Sequence, residues 1–201
     1  MKLPEMGLKS TSLTILLIAV LIVACAPPAP ARNLATAQDR FWRSLRGICD
    51  RAFAGRIVET IPPDTSFASK SLVMHVRSCS DREVRIPFHV GENRSRTWIV
   101  TQTPSGLRLK HDHRHADGSE DRITQYGGDT RNTGTDASQE FYADSLTAAL
   151  IPAAATNIWT IEVRDGKTFA YALRREGTER RFRVQFDLAR PVTAPPAPWG
   201  H

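Results

Sequence analysis

Three histidines occupy alternate positions in LKHDHRHADGSEDRITQYGG: His111, His113 and His115, with Glu120 and Arg122 close behind them. Imidazoles and a carboxylate so spaced suit two chemistries. One is coordination of a metal such as zinc or iron; the other is hydrogen bonding to the polar head of a ligand. The backbone beneath them decides which is reachable. Read as a two-residue hairpin turn, Asp117-Gly118 sets His115 opposite Glu120, Arg114 opposite Asp121 and His113 opposite Arg122. His111 then faces Thr124, and Leu109 faces Tyr126. One side of this hairpin carries Leu107, Leu109 and the three histidines, with Glu120, Arg122, Thr124 and Tyr126 across from them. Arg108, Lys110, Asp112 and Arg114 fall on the other side, toward solvent.

Strand geometry limits the metal reading. Residues i and i+2 lie about 6.6 Å apart on a strand, and i and i+4 about 13 Å. Zinc takes its nitrogens at about 2.0–2.1 Å, so three consecutive same-face histidines do not share one ion. The reachable set is His113 and His115 with Glu120 as a third ligand, and Arg122 opposite His113 puts a positive charge where the cation would sit. The spacing HRHADGSEDRITQYG, with His113, His115, Glu120 and Gly127, is similar to the first cupin motif, which implies a metal-dependent enzyme. The motif's leading glycine is off by one, as Gly106, and no histidine follows until His201, so the second cupin motif is missing.

The alternative is a polar patch that holds an anionic or hydrogen-bonding ligand head. His111, His113, His115, Glu120 and Arg122 would supply the polar groups, with Tyr126 and Trp98 giving apolar contact. A third reading is a satisfied polar cluster that only closes one end of the fold. No glycosidase-like carboxylate pair, nucleophile elbow or CxxC motif occurs, so no catalytic residue is assigned and no cofactor is expected.

The elements that position these residues are mostly strands. EVRIPFHV, RFRVQFDL, TFAYALR and SLVMHV alternate apolar and polar residues, as strands buried on one face do. Turns at Ser80-Asp81, Glu92-Asn93, Pro104-Ser105-Gly106, Asp117-Gly118, Asp165-Gly166 and Glu176-Gly177 separate strands over 52–61, 69–79, 83–91, 96–103, 106–115, 120–127, 136–143, 157–164, 167–175 and 180–188. Two helices interrupt the pattern. Leu34, Ala37, Phe41, Leu45 and Ile48 recur at helical spacing, with Trp42 at the edge of that stripe and Gly47 near its end. DSLTAALIPAAAT reads as a short helix capped by Asp144 and stopped near Pro152. An opening helix followed by a long meander is expected to close as an antiparallel up-and-down barrel of 8–10 strands, because closure removes exposed edges. The arrangement is similar to calycins, the lipocalin-like barrels, by architecture alone, since no GxW signature is present. A β-sandwich is the alternative.

The N-terminus carries an address. Lys2 and Lys9 precede an apolar run from Leu13 to Val23, shorter than the roughly 20 residues of a membrane span. It ends IVAC, which resembles the lipobox of bacterial lipoproteins; that resemblance implies lipidation of Cys25 after cleavage of residues 1–24. Residues 25–32 form a proline-rich tether, and Ala26 is unlike the inner-membrane retention signal, so an outer-membrane anchor facing the periplasm is expected. The body, 33–192, is one domain's worth of chain, and the proline-rich 193–201 is expected to be a disordered tail. With Cys25 lipidated, Cys49 and Cys79 remain for a disulfide in an oxidising compartment, two buried thiols being the alternative. The net charge of +6 is spread among acids with no dense basic run, so nucleic acid is not an expected partner.

The blocks LVMHVRSCSDREVRIPFHVGENRSRTWIV, LRLKHDHRHADGSEDRITQYGG, FAYALRR and FRVQFDLARPV resemble those of uncharacterised bacterial secreted proteins and lipoproteins, a family that implies no activity. The expected function is therefore a non-catalytic, lipid-anchored envelope protein binding a small ligand or partner at a barrel mouth. A metal-dependent enzyme using His113, His115 and Glu120, or a purely structural envelope protein, are the alternatives.

Overall fold

In the computed structural model, Met1 and residues 36–67, 69–164 and 166–201 are described; the leader, Cys25 and the tether lie outside them. Helix α1 (Ala37–Arg46) begins with a capping box. Thr36 Oγ1 accepts the Asp39 N–H at 3.1 Å, and the Asp39 carboxylate accepts the Thr36 N–H at 2.9 Å, so two end donors are satisfied reciprocally. The apolar stripe behaves as its spacing requires: Phe41, Trp42, Leu45 and Ile48 are all buried.

The alternating segments form β1 (Ala52–Ile61), β2 (Leu72–His75), β3 (Ser78–Cys79), β4 (Glu83–Val90), β5 (Asn93–Thr103) and β6 (Gly106–His113). They continue as β7 (Tyr126–Asp129), β8 (Ser138–Ala143), β9 (Asn157–Arg164), β10 (Thr168–Arg175) and β11 (Arg181–Val192), with α2 (Ser145–Leu150) after β8. Every pairing is antiparallel, and most join chain neighbours. Two further pairings, β1 with β11 and β2 with β4, close the sheet on itself. Since β2 and β3 both lie against β4, they act as one interrupted wall, and the ring is a closed ten-stranded barrel. The β-sandwich alternative is thereby set aside: ring closure satisfies both edges that a sandwich would leave exposed.

Alternation decides what fills the lumen. Val84, Ile86 and Phe88 from β4, Phe169 and Tyr171 from β10, and Val184 and Phe186 from β11 are buried together. The helix closes one end. Gln38 Nε2 donates to Thr130 Oγ1 at 3.1 Å, beside the β5–β6 turn, where Gly106 adopts φ 141°. A side chain there would meet both Thr130 Oγ1 and Gln38, so glycine is required by space as well as by conformation. The Cys49–Cys79 disulfide, with Cα atoms 6.3 Å apart, ties the residues after α1 to β3. The end of β6 away from Gly106, at His113, forms the opposite mouth.

The expected disordered tail is instead seated on the outer wall. Arg94 Nη1 donates to the Ala197 carbonyl at 3.1 Å, the Trp199 N–H to the Arg94 carbonyl at 3.1 Å, and Pro198 is buried. Proline-rich composition removes helix as an option but still allows an extended strap that docks through its own backbone.

Candidate functional site

The site is built where β5, β6 and β7 lie side by side. Trp98 on β5 is the register partner of His111 on β6, and His111 is in turn the partner of Tyr126 on β7. The expected pairing of Leu109 with Tyr126 is corrected by two residues. Asp121 Oδ1 accepts the Ile123 N–H at 2.9 Å, and Gln125 adopts φ 59°, so residues 121–125 leave the ladder and lengthen the return. An even-numbered shift keeps the same face inward, so Tyr126 still points into the lumen and stacks on His111. Position 126 is held from behind. Thr147 of α2 accepts the Gly127 N–H at 2.7 Å and donates to the Gly127 carbonyl at 2.6 Å. A Cβ at Gly128 would overlap the Tyr142 carbonyl, so the close approach of β7 to β8 requires glycine there.

His111 is enclosed, at 2 % exposure. Its ring lies parallel to Tyr126 at 4.4 Å between centroids. Its Nδ1 is 3.1 Å from the Tyr126 carbonyl, and its Nε2 is 2.8 Å from Tyr171 Oη. A carbonyl only accepts, so Nδ1 carries the hydrogen and Nε2 accepts the Tyr171 hydroxyl. Burial pushes the His111 imidazole down to about 3, against the opposing pull of the Tyr126 carbonyl, and it stays neutral. His113 sits nearer the mouth, with Nε2 3.2 Å from Tyr126 Oη. Burial, and then the Arg96 guanidinium, pushes it down to about 4. Burial also raises both phenols, Tyr126 to about 12.

These groups border a cavity of about 150 Å³. Phe67, Phe88, Trp98, Leu173 and Phe182 supply apolar walls, and Asp64, Arg96 and Arg180 bring charge. Larger grooves, of about 880 Å³ along α1 and about 720 Å³ beside β1 and β11, lie elsewhere. Neither contains any of the residues whose spacing suggested chemistry.

The structure divides the sequence candidates. Trp98, His111, His113 and Tyr126 converge on the cavity. His115, Glu120 and Arg122 do not: all three are exposed. The chain reverses through His115–Gly118, with the Gly118 N–H on the His115 carbonyl at 2.9 Å, and Glu120 pairs with Arg114 rather than facing His115. The Glu120 carboxylate accepts Arg114 Nη2 at 3.0 Å. The set His113, His115 and Glu120 is therefore not gathered, and among the described residues no group of three or more His, Cys, Asp or Glu is placed to hold a metal ion.

Asp112, expected to face solvent, is 1 % exposed. It accepts from Arg114 Nε at 3.1 Å, Gln125 Nε2 at 3.2 Å and Thr124 Oγ1 at 3.3 Å, and lies 3.0 Å from His201 Nε2 of the docked tail. Burial alone would raise its carboxyl; His201 and Arg114 outweigh that and hold it below the usual range.

Several site residues escaped the sequence reading. Tyr171 and Arg96 carried a usable signal, since each shares inward parity with buried neighbours, Phe169 and Trp98 respectively. Arg180 carried the same signal, sharing the parity of Phe182 at the head of the expected strand 180–188, whereas Asp64 lies outside the strands, where no periodicity marks it. Comparison of the chain with protein-family models, with curated proteins and with solved structures finds no match.

Proposed function

We propose that this chain is a lipid-anchored protein of the bacterial cell envelope that binds a small ligand in the open mouth of its barrel without altering it chemically. The observation that carries the binding reading is the cavity of about 150 Å³ bordered by Trp98, His111, His113 and Tyr126. An apolar cavity of about that size admits one benzene-sized ring, well below the roughly 300 Å³ at which drug-sized pockets begin. The ligand is thus a single-ring compound or one end of something larger. The neutral, mutually hydrogen-bonded His111 and Tyr171 suit a fixed wall better than proton transfer.

The envelope reading is supported by the basic leader, the apolar run, IVAC at 22–25 and the tether that follows. The Cys49–Cys79 bond is compatible with an oxidising compartment such as the periplasm. Ala26 favours the outer membrane.

A purely structural role is the second reading, favoured by how fully rings occupy the rest of the lumen: Trp98, Phe169 and Phe186 are all buried. The two separate on a cavity-filling variant. Leu173→Trp should abolish thermal shifts given by a panel of single-ring compounds while the fold survives. Identical compound-induced shifts in wild type and variant would refute binding at the mouth.

A further inference from the structure

Resting on the ligand-binding reading above, we infer that the mouth takes a planar single-ring molecule carrying one negative charge, such as an aromatic carboxylate. Its ring lies inward against Trp98 and Phe182, and its anionic group sits at Arg96 and Arg180.

The size of the cavity sets the ring, and the charges at its border set the sign. Three charged side chains border it: Arg96, Arg180 and Asp64. Asp64 Oδ1 accepts the Ser66 N–H at 2.8 Å. The Ser66 hydroxyl, then this backbone bond, then the Arg180 and Arg96 guanidinium groups hold its carboxyl below the usual range, so it remains ionised. One carboxylate offsets one guanidinium, and a single positive charge is left over. A monoanion completes that balance, a dianion overshoots it and a cation is repelled.

The remaining polar atoms point to the same place. Arg180 Nε is buried with no hydrogen-bond partner, an unmet donor that an anionic oxygen would satisfy. Arg96 gives Nη1 to Asn93 Oδ1 at 3.2 Å and borders the same cavity. His111 has both ring nitrogens engaged, and His113 Nε2 lies against Tyr126 Oη. Burial lowers both imidazoles, so neither contributes a charge at neutral pH. Recognition of the anionic group therefore falls to the two arginines, with the aromatic walls contributing shape.

The test titrates the full chain with benzoate, benzyl alcohol and benzamidinium, following heat of binding, in wild type and in Arg96→Gln and Arg180→Gln. Benzoate should bind about ten-fold or more tightly than benzyl alcohol, as a charge-assisted contact requires. Each arginine substitution should erase that preference, with an unchanged far-ultraviolet circular dichroism spectrum showing that the variants are folded. Equal affinity for the three probes, preference for benzamidinium, or a benzoate preference that survives both substitutions would overturn the charge assignment and leave the mouth as a binding site. If none of the probes binds at millimolar concentration, the inference and the ligand-binding reading fall together.

Discussion

His111 Nε2 accepts the Tyr171 hydroxyl at 2.8 Å across the lumen, joining β6 to β10, strands that are not neighbours in the sheet. With the Tyr126 carbonyl on Nδ1, every polar atom of a buried imidazole is satisfied. Both histidines of the mouth are held below their ordinary value, so the unfolded chain binds more protons than the folded one in mild acid. Stability is fully present above about pH 6.5 and falls as pH drops toward the folded values of about 3 for His111 and about 4 for His113. The expected slope is on the order of 1.4 kcal/mol per pH unit for each histidine. Denaturant melts at pH 7.5, 6 and 5 measure it. His111→Gln/His113→Gln should make the profile shallower without abolishing it, because burial also lowers the His75 and His89 imidazoles; a wild-type profile already flat across that window would contradict the assignment.

The Cys49–Cys79 bond closes a 30-residue separation. Loop entropy for that length gives about 3–4 kcal/mol. At roughly 2–4 °C per kcal/mol for a chain of this size, reduction should lower the melting temperature by roughly 10 °C. The strand signal in far-ultraviolet circular dichroism should persist at low temperature. An unchanged melting curve under reductant would show that α1 is held by Phe41, Trp42 and Leu45 alone.

The strap at 193–201 covers Asp112 through His201 and grips Arg94. Removing residues 193–201 should expose Asp112 and loosen the segment carrying Thr124 and Gln125, both bonded to that carboxylate. Hydrogen exchange over 112–126 should then accelerate about ten-fold or more while β9 and β10 stay protected, as expected of local opening. Unchanged exchange in that segment would show that the strap lies on the wall without supporting it.

The proposed lipid anchor rests on Cys25. Cys25→Ser should abolish incorporation of labelled fatty acid and move the protein from the membrane to the soluble fraction. Retained label in that variant would refute lipidation at Cys25.

Strand content and lumenal parity were legible because both follow from alternation, a local property. β1 and β9 match their expected bounds, and Trp98, His111, His113 and Tyr126 face inward as read. Errors gathered where local sequence underdetermines the backbone. The Asp117-Gly118 signal located the reversal, yet the Asx turn at Asp121 displaced Tyr126 by two positions along its partner strand. Nearer the turn, Glu120 pairs with Arg114 instead of His115, and that one-residue shift dissolved the candidate metal set. Asp112 sits at an outward position, where it meets Thr124, Gln125 and a tail nearly ninety residues downstream. Asp64 reaches the cavity from outside the regular strands, where no periodicity announces it.

The proposed ligand site is the barrel mouth. The most direct measurement is a nitrogen-15 chemical-shift map of the full chain titrated with benzoate. Perturbations should cluster on the Trp98 indole N–H and the amides of Arg96, His113, Tyr126, Arg180 and Phe182, with saturation at one equivalent. Perturbations confined to the groove at Arg43, Arg51 and Lys167, or absent throughout, would contradict it.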